Sequence, residues 1–98
     1  MNMLKARCKR FTKGESVVFV SIDLIDREGR LTVDGQGAKF YRVSMGGAHG
    51  SVDYNLDEGE YAVKMFNARC HELLDRDYEV RNCVRKQNGD FTTWGVED

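Results

Sequence analysis

Residues 16–25, SVVFVSIDLI, decide the fold. Val18, Val20, Ile22 and Leu24 alternate onto one face, with the period of two that a β-strand requires. Val17, Phe19 and Ile25 make the opposite face partly apolar too, and a strand that is apolar on both sides belongs in the middle of a sheet. Such a strand needs neighbours, and the flanking sequence supplies them. Upstream, Leu4, Ala6 and Cys8 alternate with Lys5, Arg7 and Lys9, the pattern of a strand with one dry and one wet face. Downstream, Asp26-Arg27-Glu28-Gly29 reads as a hairpin turn into Leu31-Thr32-Val33. Asp34-Gly35-Gln36-Gly37 is a second turn, where glycine accepts the positive φ of a tight hairpin. Residues 38–45 then form a strand with Tyr41, Val43 and Met45 on one side.

One segment breaks the period of two. From Leu56 to Asp75, the residues Ala62, Phe66, Cys70, Leu73 and Leu74 recur at spacings of three and four, which builds a single apolar stripe along a helix. Asn55 is placed to cap it, and Glu58 to complete a capping box. Asp57 and Glu58 in the first turn and Arg76 near the end suit the helix dipole. Gly59 opposes the helix, by about 1 kcal/mol relative to alanine. Beyond it, Tyr78 to Lys86 alternates as a strand, Asn88-Gly89 signals a hairpin, and Phe91 to Val96 returns. A striped helix and one-faced strands satisfy each other by packing. The expected architecture is therefore α+β: one domain over residues 1–98, with a mainly antiparallel sheet of about five or six strands packed on one long helix, residues 56–75.

Length agrees, since 98 residues suit one core. With 41% hydrophobic residues the chain can fill that core, so wholesale disorder is not expected. No apolar run approaches the roughly 18 residues of a membrane span, and Met1 to Lys13 lacks the continuous apolar stretch of a signal peptide. A cytoplasmic location is expected. Cys8, Cys70 and Cys83 are odd in number and far apart, which suits free, partly buried thiols rather than a disulfide framework.

The chemical constellations are sparse. Cys70 and His71, with Cys8, Cys83 and His49, lack the close ligand pair of a structural zinc site. On a helix Cys70 joins the core stripe, while His71 turns about 100° away toward Lys64, Asn67 and Asp75. His71 and Asp75 lie one turn apart without a nucleophile beside them. The segment Gly46-Gly47-Ala48-His49-Gly50 lacks the lysine and hydroxyl of a phosphate loop and reads as a flexible connection. Neither a catalytic set, a metal nor a cofactor is expected.

Charge sums to −1 but is unevenly spread. Lys5, Arg7, Lys9, Arg10 and Lys13 make a basic strip, and Arg81, Arg85 and Lys86 a second basic group. Asp53, Asp57, Glu58 and Glu60 form an acidic run beside Tyr54 and Tyr61. The blandest role of such clusters is to keep a surface solvated. Functionally, tyrosines supply rigid contact area and acids steer a basic protein partner. The basic residues suit phosphate contact.

Between Lys39 and Val80, a strand runs into Met45-Gly46-Gly47-Ala48-His49-Gly50, a helix carries Ala62 and Phe66, and the chain exits at Tyr78. In that outline the segment resembles the WGR domain found beside the catalytic part of some poly(ADP-ribose) polymerases. Met45-Gly46-Gly47 stands where that family has its defining Trp-Gly-Arg. The resemblance implies a nucleic-acid role, without the arginine that marks the family.

The leading expectation is a stand-alone, non-enzymatic binding protein that inhibits or regulates a protein partner. A phage or mobile-element accessory protein of anti-restriction or anti-CRISPR type fits that description. The partner-binding residues would be Asp53, Tyr54, Asp57, Glu58, Glu60 and Tyr61, facing a basic protein that handles nucleic acid. The alternative is nucleic-acid binding through Lys5, Arg7, Lys9, Arg81 and Arg85.

Overall fold

In the computed structural model the strand rich in valine and isoleucine, β2 (Ser16–Asp26), is flanked on both sides, as its two apolar faces require. The structure describes residues 4–32, 35–46, 50–89 and 91–96. On one side β2 pairs with β1 (Arg7–Lys13), Phe11 lying opposite Val18 and Cys8 opposite Ser21. On the other it pairs with β3 (Leu31–Thr32) and β4 (Ala38–Met45), Tyr41 lying opposite Leu24 and Arg42 opposite Asp23. Between β2 and β3 the Asp26 carboxylate accepts from the backbone amides of Glu28 and Arg30, both at 2.9 Å, closing the expected turn. Val33, Asp34 and His49, and with them parts of two expected turns, lie outside the described residues.

Beyond β4 the chain adds β5 (Ser51–Asn55), which forms one edge of the sheet. This strand corrects the expectation that the glycine-rich connection continues to the helix. Only Val52 and Tyr54 alternate there, too short a pattern to stand out, and pairing with β4 fixes it. After the helix, β6 (Glu79–Asn88) joins the other side of β1, and β7 (Phe91–Val96) joins β6. The order across the sheet is β5-β4-β2-β1-β6-β7, all pairings antiparallel. β6 changes partner midway: Glu79–Asn82 pair with β1, and Cys83–Asn88 with β7.

The helix, α1, runs Gly59–Leu74, preceded by a 3-10 turn over Leu56–Glu58. The expected start at Leu56 is thus a tighter turn, in which the Glu58 carboxylate accepts from the Asn55 amide at 2.8 Å. Gly59 has a steric reason: a Cβ there would meet the Leu4 side chain at 3.2 Å and the Tyr41 ring at 3.4 Å. Ala62, Phe66, Cys70 and Leu73 are buried against Phe11, Val20, Ile22 and Tyr41, forming one α+β core between helix and sheet. Leu74, placed on the same stripe by its spacing, is instead 41% exposed. The helix ends at that residue, and the backbone turns back so that the Tyr78 amide donates to the Leu73 carbonyl at 3.1 Å, which leaves only Leu73 facing the sheet. No helix among the described residues is long and apolar enough to cross a membrane.

Candidate functional site

The acidic run with its tyrosines spans β5, the 3-10 turn and the first turn of α1, and the fold divides it. Strand alternation sends Asp53 and Tyr54 to opposite faces of the sheet. Tyr54 faces the helix and packs on the edge of the core. Asp53 faces away and accepts from Arg42, its cross-strand neighbour, at 2.8 and 3.3 Å. That bidentate contact keeps the Arg42 guanidinium protonated even more firmly than usual. Asp53 is therefore partly neutralised within the sheet.

The other acids have separate duties. Glu58 caps the Asn55 amide. Glu60 lies 3.6 Å from Lys64, both side chains largely in solvent, an arrangement worth at most a few tenths of a kcal/mol. Asp57 is exposed and forms no ion pair among the described residues.

What these residues border is a groove. Tyr54, Glu58, Tyr61, Lys64, Met65 and Ala68 line an open cleft of about 520 Å³ between α1 and the edge strand β5. Glu58, Tyr61, Met65 and Ala68 recur every three or four residues, so they share the helix stripe next to the buried one. Tyr61 is 60% exposed, a large apolar ring held at the rim with the Lys64 ammonium 5.8 Å from its centre. Among the described residues no strand pairs with the outer edge of β5, and only its Asn55 amide is taken, by the Glu58 carboxylate. The sequence singled out the two tyrosines and the acids, but not Met65, Ala68 or the open strand edge, which require the position of β5.

The basic residues do not form one surface. Arg7 and Lys9 alternate with Phe11 and so stand on the helix side of the sheet, with Lys5 exposed ahead of them. Arg10 and Arg81 are on the opposite face, directly across from each other on β1 and β6, beside Thr12 and Glu79. Arg85 also faces that side, but its guanidinium is engaged: it donates to the Asp23 carboxylate and lies 3.7 Å from the centre of the Trp94 ring.

This Asp23–Arg85–Trp94 group was not foreseen from the sequence, although an aspartate inside an apolar central strand is a visible signal. Ser21 donates to the same carboxylate at 3.1 Å, and both Ser21 and Asp23 are buried. Cys8 is buried beside them, and burial above all, reinforced by Cys83 and by the negative charge of Asp23, pushes its thiol pKa far up. Cys70 sits in the core on the other side of the sheet, and burial raises its pKa as well. His71 is exposed on the polar side of α1. Among the described residues no three His, Cys, Asp or Glu side chains are grouped to hold a metal.

No family model, curated protein or solved structure matches this chain. The outline shared with WGR domains therefore carries no argument, and a functional reading has to come from the geometry. The β5 edge offers backbone donors and acceptors beside an apolar cleft. That arrangement can hold an extended polypeptide, with alternate side chains of the added strand reaching the cleft.

Proposed function

We propose that this chain is a non-enzymatic binding protein that inhibits or regulates a protein partner by adding an extended segment of that partner to the open edge of β5. The observation that carries this reading is the outer edge of β5, which no strand covers among the described residues and which is open ahead of the capped Asn55 amide, lying beside the cleft of Tyr54, Tyr61, Met65 and Ala68. Exposed strand edges are aggregation hazards that proteins usually blunt with charge, proline or a covering element. β5 contains no proline, and its one charge, Asp53, is tied to Arg42 on the face away from the cleft. An apolar or aromatic side chain of the segment fits the cleft. A flanking lysine or arginine fits Asp57 and Glu60 at the start of the helix, so a basic partner such as a nucleic-acid-handling protein is favoured. An inhibitor of anti-restriction or anti-CRISPR type belongs to this class of regulator.

The test uses Tyr61→Ala combined with Met65→Ala. Tyr61 is exposed and Met65 packs only on the edge of the core, outside the buried stripe, so the variant should fold with a modestly lowered melting temperature. A partner recovered by affinity capture from host extract should lose at least about tenfold in affinity, from the loss of two central apolar contacts. Full retention of affinity by a folded double variant would refute the site.

A specific observation also supports a second reading, phosphate contact. Arg10 and Arg81 are directly opposed and form no ion pair among the described residues, an arrangement that disfavours the free protein and that an anion would relieve. Binding to DNA or RNA that weakens steeply with salt and is lost in Arg10→Ala/Arg81→Ala would support it. Absence of binding at low salt would remove it.

A further inference from the structure

The β1–β6 pairing runs Thr12–Glu79, Phe11–Val80, Arg10–Arg81 and Lys9–Asn82. The bridged pairs end there; the same register carried one rung further would set Cys8 of β1 opposite Cys83, the first residue of β6 that pairs with β7. Directly opposed residues of an antiparallel pair have Cα atoms about 4.5–5.5 Å apart, inside the range of about 4.4–6.8 Å that a disulfide spans. Alternation turns both side chains to the face away from the helix, and the two thiols lie near enough for Cys83 to help raise the pKa of Cys8. Cys70 belongs to the helix stripe on the other side of the sheet, so the sheet itself separates it from the pair.

We propose that Cys8 and Cys83 are a reversible dithiol–disulfide pair, a redox modification site that fastens β6 to β1 at the point where β6 exchanges β1 for β7. The oxidant class is a peroxide. Cys83, half-buried where Cys8 is buried, is the sulfur that meets it first. The Cys83 thiolate attacks one peroxide oxygen and the O–O bond breaks, giving a sulfenic acid and hydroxide, which takes up the proton Cys83 released and becomes water. The Cys8 sulfur then attacks the sulfenic sulfur. The S–S bond forms, the S–O bond breaks, and hydroxide departs with the Cys8 proton as a second water. Two thiols and one hydrogen peroxide thus become one disulfide and two waters. A dithiol reductant reverses the step by two thiol–disulfide exchanges and leaves as its own cyclic disulfide. The raised pKa of Cys8 makes it a poor first nucleophile and suits it to the resolving role.

The experiment treats the reduced, folded chain with hydrogen peroxide, alkylates the remaining thiols after unfolding, and maps peptides by mass. The expected product is a monomer in which only Cys70 is alkylated and the peptides containing Cys8 and Cys83 are joined, two hydrogens lighter than their sum. Dithiothreitol should restore three alkylated thiols. The crosslink should also raise the melting temperature by about 10 °C or more, a shift absent from Cys83→Ser under the same treatment. A linkage through Cys70, a disulfide joining two copies through Cys83, or over-oxidised Cys83 with Cys8 still free would overturn the proposal. So would a crosslinked monomer whose melting temperature is unchanged or lowered.

Discussion

Asp23→Asn removes the charge from a carboxylate in the central strand without changing its shape, and the cost follows from what surrounds it. The Asp23 and Arg85 side chains retain only 11% and 17% of their exposure. In the variant the guanidinium keeps its stack on Trp94 but loses its counter-charge, and its Nε already has no hydrogen-bond partner among the described residues. Breaking a buried ion pair from one side costs about 3–5 kcal/mol. Some water reaches the arginine, so the lower end applies, about 3 kcal/mol, or a fall in melting temperature of about 12–24 °C for a domain of this size. Arg85→Met removes the other partner and strands the carboxylate, although Ser21 still donates to it. The double variant leaves no uncompensated charge and should be more stable than the sum of the single losses implies, by at least about 2 kcal/mol. Urea denaturation of the four proteins, followed by circular dichroism, gives this coupling directly. Losses that add within about 0.5 kcal/mol would show that the two charges do not sustain each other, and the reasoning would fail.

The helix face is tested by Phe66→Ala, expected to cost about 3–5 kcal/mol, against Leu74→Ala, expected to cost under about 0.5 kcal/mol; similar denaturation midpoints would put the wrong stripe in the core. Alkaline stability reports the buried thiols. Below their ordinary value of 9.0 the thiols are protonated in both states, whereas above it those of the unfolded chain ionise and the buried Cys8 and Cys70 do so only at higher pH. Stability should therefore fall as pH rises past that value, by up to about 1.4 kcal/mol per pH unit for each thiol. Cys8→Ser and Cys70→Ser should each flatten the pH dependence of the urea midpoint, and an unchanged slope in both would show that the thiols ionise in the fold. Asp57→Lys with Glu60→Lys should slow association with the captured partner at low salt while leaving the melt nearly unaltered. An unchanged association rate would remove the acids from the interface.

The sequence made the architecture legible where patterns were long or chemically unambiguous. The apolar residues on both faces of Ser16–Asp26 placed that strand centrally, and Ala62, Phe66, Cys70 and Leu73 marked the buried helix stripe. Leu73 and Leu74 could not be separated by spacing, because both fall three or four residues beyond Cys70; the end of the helix decides between them. β5 escaped notice because two alternating residues are a weak signal after a glycine-rich segment, and that strand supplies Tyr54 to the cleft. Tyr54 and Tyr61 were recognisable as contact residues, while Asp53 looked like their neighbour until alternation turned it to the opposite face. The Asp23–Arg85 contact joins residues 62 positions apart and depends on the β2-β1-β6 order, which no local pattern encodes. The facing of Cys8 and Cys83 depends on the same order and on the register.

The docking edge is tested most directly by residue-resolved amide hydrogen exchange on the chain alone and in complex with its captured partner. In the free protein the outward amides of Ser51 and Asp53 have no partner among the described residues and should exchange fast, while the outward Asn55 amide, held by Glu58, and the alternate amides bonded to β4 exchange slowly. Binding should slow the fast set within Ser51–Asn55, and the signals of Tyr61 and Met65 should shift with them. Protection appearing on β1 or on the β6–β7 hairpin, with the outward amides of β5 still exchanging as in the free chain, would contradict the account.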